Sequence, residues 1–488
     1  MAIWRNIAAN YLGRAYTILS SLIFIPFYIR YLGVDSYGVI AFYTIILTLS
    51  ATADVGLSAA FSREAARESD PDAIARVLTS IEWVLYAALA VVAVVLVAGA
   101  DSIATHWLKP SPSLEPRQVE AALRLMGLTI VPQIGISLYI AGLLGMQRQG
   151  AANLIQALYI TVRGGLVIPL IALAPRLDLF FAWQLGAGIL FAFAARVYLL
   201  RMLGKRMFFW DRFSWDRIRP MIAFAGGMLS ISVFSSLNTQ LDKVVVSALF
   251  ATKDLGYYTL AGMAAQLPYA GTLPILVAAL PHLTRLQAER QSERIDALFR
   301  TYSLLISTLA GVSAAALFFF ARDLLSLWLP GQILPEQFIE ATQILAVGGL
   351  FLSLASVPFY LGLAHGYNRA AMAMAVVTIF ATGPAVLILA PRFGLTGAAL
   401  PFAAFNIISF AVLFTAVARK FYGGNPAKLL LSAIIVPLAL AVLAIAAAKA
   451  VTTSYSLTGL SAVLLVATVA FAEVGAVIGV ARRHLTFS

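Results

Sequence analysis

The chain contains 488 residues, of which 61% are hydrophobic and only 11% are charged, with a formal net charge of +12 at pH 7. Its mean hydropathy of +0.90 lies far above the values of soluble globular domains and excludes that class. The absence of cysteine excludes disulfide bonds and cysteine-ligated metal sites.

Apolar runs of about 20 residues, the length that crosses the hydrocarbon core of a bilayer, recur from one end of the chain to the other. The sequence therefore predicts an all-α membrane protein with about fourteen transmembrane helices. The predicted spans are 7–30, 38–62, 78–100, 118–144, 150–174, 179–203, 220–249, 255–281, 297–320, 338–364, 369–391, 395–418, 427–448 and 456–481. We interpret the first run as a retained span and not a signal peptide, since no small-residue cleavage site follows it.

The first twelve spans form two sets of six that are related by an internal repeat. Residues 171–179 contain Leu-Ala-Pro-Arg, and residues 387–395 contain the same four residues 216 positions later. Gly38 and Gly256 end similar motifs 218 residues apart. Because six is an even number, both halves enter the membrane in the same direction and the repeat is parallel. The predicted domains are a first lobe (1–203), a linker (204–219), a second lobe (220–420) and two additional transmembrane helices (421–488).

The distribution of basic residues predicts the orientation of the chain. Most of the 34 lysines and arginines lie in loops and ends that face inward if the N-terminus is cytoplasmic. This positive-inside pattern predicts that both termini are cytoplasmic. The net charge then reflects topology, and no nucleic-acid partner is predicted. The linker 204–219 is basic and aromatic, which is typical of an amphipathic helix on the inner leaflet.

Several charged residues fall inside the predicted spans, where each charge costs at least about 2.5–3.5 kcal/mol on insertion scales. Arg163 lies about 20 Å along its span at the helical rise, too deep to reach either interface. The glycines that follow it, together with Pro169, form a weak point in the helix. We expect these charges to face a polar cleft between the halves. The basic candidates are Arg14, Arg163, Lys243 and Arg124, and the acidic candidates are Asp54 and Asp242.

Each of these charges also has a purely structural explanation. Arg163 could form an ion pair that holds two helices together, and Asp54 could cap or kink its helix. Lys243 could extend to the outer interface. Arg124 and Glu82 lie near the ends of their spans, where a structural role is the simpler explanation.

No motif for enzymatic or metal chemistry is found in the sequence. The four histidines show no metal-ligand spacing, and the chain has no glycine-rich phosphate loop, His-Glu-x-x-His motif or serine elbow. We predict no metal site, no cofactor and no enzymatic activity.

Short motifs in the first two spans resemble the opening of Wzx-type polysaccharide flippases. Residues 31–38 read Tyr-Leu-Gly-Val-Asp-Ser-Tyr-Gly, residues 54–57 read Asp-Val-Gly-Leu, and Arg63 follows shortly after. The likeness extends along the whole chain through the order and spacing of the spans and through Gly-Tyr-Asn-Arg at 366–369. These flippases share a superfamily with the multidrug extrusion antiporters and the lipid II flippases.

The resemblance implies two six-helix lobes in a V shape around a cationic cavity, and a groove for a lipid tail at the last two spans. It implies a substrate that is an undecaprenyl-diphosphate-linked oligosaccharide, the repeat unit of O-antigen lipopolysaccharide, capsule or exopolysaccharide. The substrate would move from the inner to the outer leaflet of the bacterial plasma (inner) membrane. A polysaccharide polymerase and a chain-length regulator are the implied protein partners.

We therefore interpret the basic candidates as binding the diphosphate, with Arg63 added by the resemblance. Asp54 and Asp242 are the candidates for coupling to H⁺ or Na⁺, although uncoupled transport also fits the sequence.

Two other functions stay open. A multidrug antiporter would need an acidic cavity, against which the arginines argue. A membrane glycan ligase or polymerase would need a catalytic outward loop, and the longest one, 101–117, carries little beyond His106, Lys109 and Arg117.

Overall fold

The computed structural model describes the backbone of residues 2–110 and 114–486. It describes the side chains of residues 16–479 apart from 18, 21, 53, 55, 111–113, 220, 222–225, 227, 228, 230 and 231. The described backbone is almost entirely helical, and its only extended pairing is an isolated bridge between Lys109 and Ala251. The prediction of an all-α membrane protein is confirmed.

The chain forms two compact units, Met1–Gly256 and Tyr257–Ser488. The helices of the first unit are α1 (Ala2–Arg67), α2 (Pro71–Ala98), α3 (Ala100–Ser102), α4 (Pro116–Gly145), α5 (Gln149–Ile160), α6 (Val167–Leu173), α7 (Leu177–Met202) and α8 (Trp215–Leu249). Helix α9 (Thr252–Ala265) begins in the first unit and continues in the second. The second unit continues with α10 (Leu267–Ala288), α11 (Ser292–Phe319), α12 (Ala321–Trp328), α13 (Glu336–Ala364), α14 (Arg369–Phe421), α15 (Pro426–Leu430), α16 (Val436–Ser454) and α17 (Leu460–Thr486).

Eleven helical segments in the described residues are long and apolar enough to cross a membrane. Helices α1 and α14, with 66 and 53 residues, are far longer than the roughly 20 residues that one crossing needs. Each is broken at a glycine with positive φ, Gly33 at 82° and Gly394 at 64°. Glycine adopts this backbone conformation without the penalty that a Cβ would bring. Both breaks fall at predicted loops between spans, and the total of fourteen crossings stays a prediction.

The turns that follow α4 and α13 have the same backbone geometry. Gln147 and Gly366, which are 219 residues apart, both have positive φ, at 58° and 67°. The N–H of the next residue, Arg148 in one turn and Tyr367 in the other, donates to the carbonyl five positions before it at 2.8 Å in both cases. This hydrogen bond defines the same helix-ending motif in both halves. The same motif also ends α7, α10 and α16, so the duplication stays a prediction from the sequence.

Helix α8 packs along α1 within the first unit, although the repeat places it in the second lobe. Two repeat-related glycines, Gly38 on α1 and Gly256 on α9, lie side by side, because a Cβ built on Gly256 would stand 3.2 Å from the Gly38 nitrogen. The ammonium of Lys109 donates to the carbonyl of Leu249 at 2.9 Å and so caps the end of α8 with a positive charge. The predicted boundary of the second lobe at residue 220 comes from the repeat in the sequence, and it stays a prediction.

The predicted linker helix is wrong over residues 203–214, which are not helical, and regular helix resumes only at Trp215. The guanidinium of Arg196 on α7 donates to the carbonyls of Met207 at 3.2 Å and Phe209 at 2.8 Å. These carbonyls accept hydrogen bonds from a side chain of α7, so they do not accept the backbone N–H bonds that a helix in the linker would need. Amphipathic composition alone did not reveal this competing donor.

Side-chain contacts attach the same linker to the ends of α2 and α7. Lys205 forms an ion pair with Asp72 and lies over the Phe209 ring at 5.1 Å. The Trp210 ring meets the edge of Trp83 at a centroid distance of 5.5 Å. The linker is thus a strap fixed to the first unit.

The two additional C-terminal helices pack against α11 in the second unit. Ile445 and Ala462 are fully buried in a small apolar cluster with Phe320. The Ser307 hydroxyl donates to the Ala433 carbonyl at 2.8 Å, inside a π-helical turn between α15 and α16. The Lys449 ammonium contributes an ion pair to Asp323 at 3.0 Å. The tail without a repeat partner is therefore an integral part of the second unit.

Candidate functional site

A turn of π-helix interrupts the fifth predicted span and carries Arg163. Over Thr161–Gly165 the helix is wider than an α-helix, and the N–H of Leu166 donates to the carbonyl five residues before it at 3.0 Å. Pro169 has no N–H for the carbonyl four residues before it, so the regular ladder cannot run unbroken through this stretch. The weak point predicted after Arg163 is therefore a π-turn, a feature that is frequent at functional sites.

Side chains from α1 and α7 bind the carbonyls of this turn. The Trp183 indole, the Gln184 amide and the Tyr28 hydroxyl donate to the carbonyls of residues 162–164 in order, at 2.9, 3.1 and 2.7 Å. These bonds satisfy carbonyls that an irregular helix would leave open in a membrane. The backbone that carries Arg163 is consequently held from two sides, and its side chain starts from a fixed position.

Among the described side chains, the guanidinium of Arg163 contacts only neutral groups. It donates to the amide oxygen of Gln133 on α4 at 3.2 Å and lies 5.7 Å from the centroid of the Tyr159 ring. Arg163 forms no ion pair within the described part of the chain, which includes all 22 acidic residues. The structural alternative, in which an acid pairs with this arginine, is therefore not what the structure shows.

Four polar groups close to Arg163 are buried and have no hydrogen-bond partner among the described residues. They are the Gln133 amide nitrogen, the Gln184 amide oxygen and the hydroxyls of Tyr43 and Tyr159. A buried polar group without a partner costs about 1–3 kcal/mol. Together with the uncompensated positive charge, the amide nitrogen and the hydroxyls form an incomplete polar site that an anion or water would complete, whereas the Gln184 oxygen needs a donor.

Asp54 occupies a separate place in the first unit. Its side chain is buried, and the Ser58 hydroxyl one turn later donates to it at 2.6 Å. No basic side chain forms an ion pair with Asp54 within the described residues. A lone buried carboxylate is the chemistry needed to carry a proton or bind a small cation.

Glu82, also buried, belongs to a fully paired network. Arg196 and the Tyr139 hydroxyl both donate to its carboxylate, the latter at 2.9 Å, and Tyr139 also hydrogen-bonds Tyr86 at 2.8 Å. This arrangement fits the structural explanation that the sequence favours for Glu82.

Of the remaining predicted residues whose side chains the structure describes, none contacts Arg163. The side chain of Arg14 lies outside the described residues. Arg63 is exposed at the end of α1. Arg124 is exposed and forms an ion pair one turn along α4 with Glu120 at 2.5 Å. The contacts of Arg124 therefore match its structural alternative, and its substrate role stays a prediction.

Asp242 and Lys243 lie half-buried on α8. The carboxylate of Asp242 accepts a hydrogen bond from the backbone N–H of Lys243 at 2.8 Å. The proposed coupling and binding roles of these two residues stay predictions.

An open groove of about 460 Å³ lies between α2, α4 and α7. Apart from Tyr86, its lining is apolar and consists of Leu128, Val131, Pro132, Leu185, Ile189 and Ala192. The groove carries no charge and suits hydrocarbon, so it cannot serve as the polar part of a transport site.

Sequence reasoning missed the neutral residues around Arg163. Gln133 and Gln184 are amides in otherwise apolar spans, and that placement alone could have marked them, since a buried amide needs partners. Tyr43 left no such signal, because tyrosine is common in membrane helices.

The family model described as "Polysaccharide biosynthesis protein" matches residues 3–287 of the chain. No curated protein matches the sequence.

Among solved structures, the chain is similar to the lipid II flippase MurJ in its inward closed conformation. The TM-score is 0.72 at 13% identity, over 99% of each chain. It is also similar to an inward-facing multidrug resistance transporter of the MATE family, with a TM-score of 0.64 at 12% identity over 86% of this chain and 96% of that one. A transporter of the same superfamily from Pyrococcus furiosus Vc1 has a TM-score of 0.56 at 13% identity over 88% of this chain and 96% of that one. These likenesses show a shared transporter fold.

Proposed function

This chain belongs to the family of polysaccharide biosynthesis proteins, and we propose that it is a flippase that moves a lipid-linked oligosaccharide across the membrane. The shared fold with MurJ supports a lipid-linked substrate, since MurJ is a lipid II flippase. On this proposal the chain is a transporter and not an enzyme.

The observation that carries the proposal is the uncompensated positive charge of Arg163. A charge inside a membrane span costs at least about 2.5–3.5 kcal/mol, so an arginine without an acidic partner calls for an anion. A diphosphate supplies that anion and accepts two parallel hydrogen bonds from a guanidinium. A phosphate-linked sugar is therefore the class of head group that best fits this residue.

The transport step follows from the chemistry of such a substrate. The charged sugar head cannot cross hydrocarbon unaided, whereas its lipid tail can stay in the bilayer while the head moves. Polar groups that replace lost hydration lower the barrier for the head, and the site is exposed alternately to the two sides.

The finer assignments also belong to this proposal. The substrate is an undecaprenyl-diphosphate-linked repeat unit of O-antigen, capsule or exopolysaccharide, and it moves from the inner to the outer leaflet of the bacterial inner membrane. The positive-inside pattern supports cytoplasmic termini. The lone carboxylate of Asp54 supports coupling to H⁺ or Na⁺, with Asp242 as the second candidate. A polymerase and a chain-length regulator are the proposed partners.

A multidrug antiporter is the second candidate function, because Asp54 is an acid that a cationic drug could neutralise. This function predicts that cationic drugs, and not diphosphate lipids, compete for the site. A displacement assay with both classes of compound distinguishes the two functions.

Translocation of an undecaprenyl-diphosphate-linked oligosaccharide in proteoliposomes tests the main proposal. Arg163→Ala should abolish translocation while the protein still inserts and folds, and Arg163→Lys should recover only part of it, because an ammonium lacks the planar fork. Arg117→Ala is the matched control, since it removes an exposed arginine at the start of α4 in the same unit. Full activity of Arg163→Ala, or a loss explained by missing protein, would end the substrate role of Arg163.

A further inference from the structure

The amide of Gln133 is oriented by its bond to Arg163. An arginine has no hydrogen-bond acceptor, so the guanidinium must face the amide oxygen, as the 3.2 Å bond shows. The amide nitrogen shares a carbon with that oxygen, and its two N–H donors therefore lie beside the positive charge. Gln133 is only 7% exposed, and this nitrogen has no partner among the described residues. The two N–H groups of the Gln133 amide are thus unused donors next to the positive charge of Arg163.

The Tyr43 hydroxyl is a third donor in the same neighbourhood. Tyr43 is 2% exposed, its ring packs on Phe181 at a centroid distance of 5.3 Å, and its hydroxyl has no described hydrogen-bond partner. Phe181 packs on Phe180, and Phe180 packs on Tyr28, whose hydroxyl binds the Gly164 carbonyl next to Arg163. The ring is therefore held by packing, while its polar end is left without a bond.

We propose that Gln133 and Tyr43 complete, with Arg163, an oxyanion subsite that binds one phosphate group of a diphosphate. The subsite rests on the proposed function and adds two neutral donors to its single charge. An oxyanion accepts hydrogen bonds from the guanidinium, the amide nitrogen and the phenol, and so satisfies groups that the protein leaves open. Water would satisfy the amide and the phenol but would leave the charge of Arg163 uncompensated.

The geometry of the turn is suited to admitting this anion. The amide nitrogen and the phenol are covered in the conformation described, Arg163 is half-buried, and two glycines follow it in the π-turn. A π-turn has looser hydrogen bonding than an α-helix, and glycine leaves the backbone the freedom to move. Opening of this turn would expose all three donors together.

Titration of the purified full-length protein in nanodiscs tests the subsite, with inorganic pyrophosphate as one probe and undecaprenyl diphosphate as the other. Gln133→Glu keeps an oxygen for Arg163 but removes the donors and neutralises the cation. We expect it to weaken binding by at least about tenfold while the melting temperature stays equal or rises. Tyr43→Phe keeps the ring and should also weaken binding by about tenfold, the value of one hydrogen bond to a charged group. Gln147→Glu, at an exposed glutamine in the turn after α4, is the matched control and should leave binding unchanged.

The two probes distinguish the source of the phosphate. Binding of both, weakened in Gln133→Glu and Tyr43→Phe, supports a subsite that a free anion also reaches. Binding of undecaprenyl diphosphate alone, weakened in the same variants, supports a subsite that only the lipid enters. If these variants bind like the wild type while Arg163→Ala does not bind, the subsite is wrong and the proposed function stands. If Arg163→Ala also binds normally, both proposals fail.

Discussion

Arg196 binds Glu82 through two of its guanidinium nitrogens, Nε to Oε1 at 2.6 Å and Nη2 to Oε2 at 3.0 Å. Glu82 is fully buried on α2, and the side chain of Arg196 on α7 is 12% exposed. The same guanidinium donates to two linker carbonyls and lies 5.0 Å from the centroid of the Trp210 ring. One ion pair therefore joins two helices and fixes the segment that leaves the first unit.

Glu82→Gln should destabilise the protein strongly, because it leaves Arg196 as a largely desolvated charge without an acid. Breaking a buried pair from one side costs about 3–5 kcal/mol. Thermal unfolding in detergent should show a clearly lower melting temperature. The double variant Glu82→Leu with Arg196→Met should recover much of the loss, since it removes both charges. A single variant as stable as the wild type would contradict the role of this pair.

Trp210→Ala should release the linker without unfolding the helices, because it removes the ring that packs on Arg196 and Trp83. We expect faster trypsin cleavage within residues 203–214 at an unchanged melting temperature. Phe208→Ala is the control, since this side chain is 77% exposed. Equal cleavage of the two variants would show that Trp210 does not hold the strap.

Gly38→Ala should destabilise the contact between α1 and the start of α9. A Cβ at this position would overlap the carbonyl of Thr252, which is backbone and cannot rotate away. Overpacking of this kind costs about 1–3 kcal/mol. Gly186→Ala is the matched control, because a Cβ there meets nothing within 4 Å and should gain up to about 1 kcal/mol of helix stability. The melting temperatures should move in opposite directions, and a shared direction would refute the packing argument.

Asp54→Asn should abolish the dependence of transport on an ion gradient if this buried carboxylate carries the coupling ion. An amide keeps the shape and can still bond Ser58, but it can neither release a proton nor neutralise a cation. Binding of undecaprenyl diphosphate should persist, because the contacts of Arg163 do not include Asp54. Asp101→Asn, at an exposed acid, should behave like the wild type. A gradient response that survives in Asp54→Asn would remove this residue from coupling.

The architecture could be predicted largely from the sequence because its signals are local. A bilayer demands about 20 apolar residues for each crossing, and every such run is visible in one stretch of chain. Glycines in the predicted loops mark the breaks at Gly33 and Gly394, where the backbone needs positive φ. Arg163 stood out for the same reason, as a lone charge in an apolar run.

What surrounds Arg163 and Glu82 was decided only by the tertiary structure. Gln133 lies 30 residues from Arg163, and Arg196 lies 114 residues from Glu82. The linker composition predicts a helix, but two of its carbonyls, those of Met207 and Phe209, accept hydrogen bonds from Arg196 instead of from a helical backbone. The sequence by itself determines the hydropathy of each stretch. Hydropathy indicates whether a residue needs an apolar or a polar environment. It does not report which distant side chain supplies a hydrogen bond or a countercharge, because that depends on how helices far apart in the chain pack together.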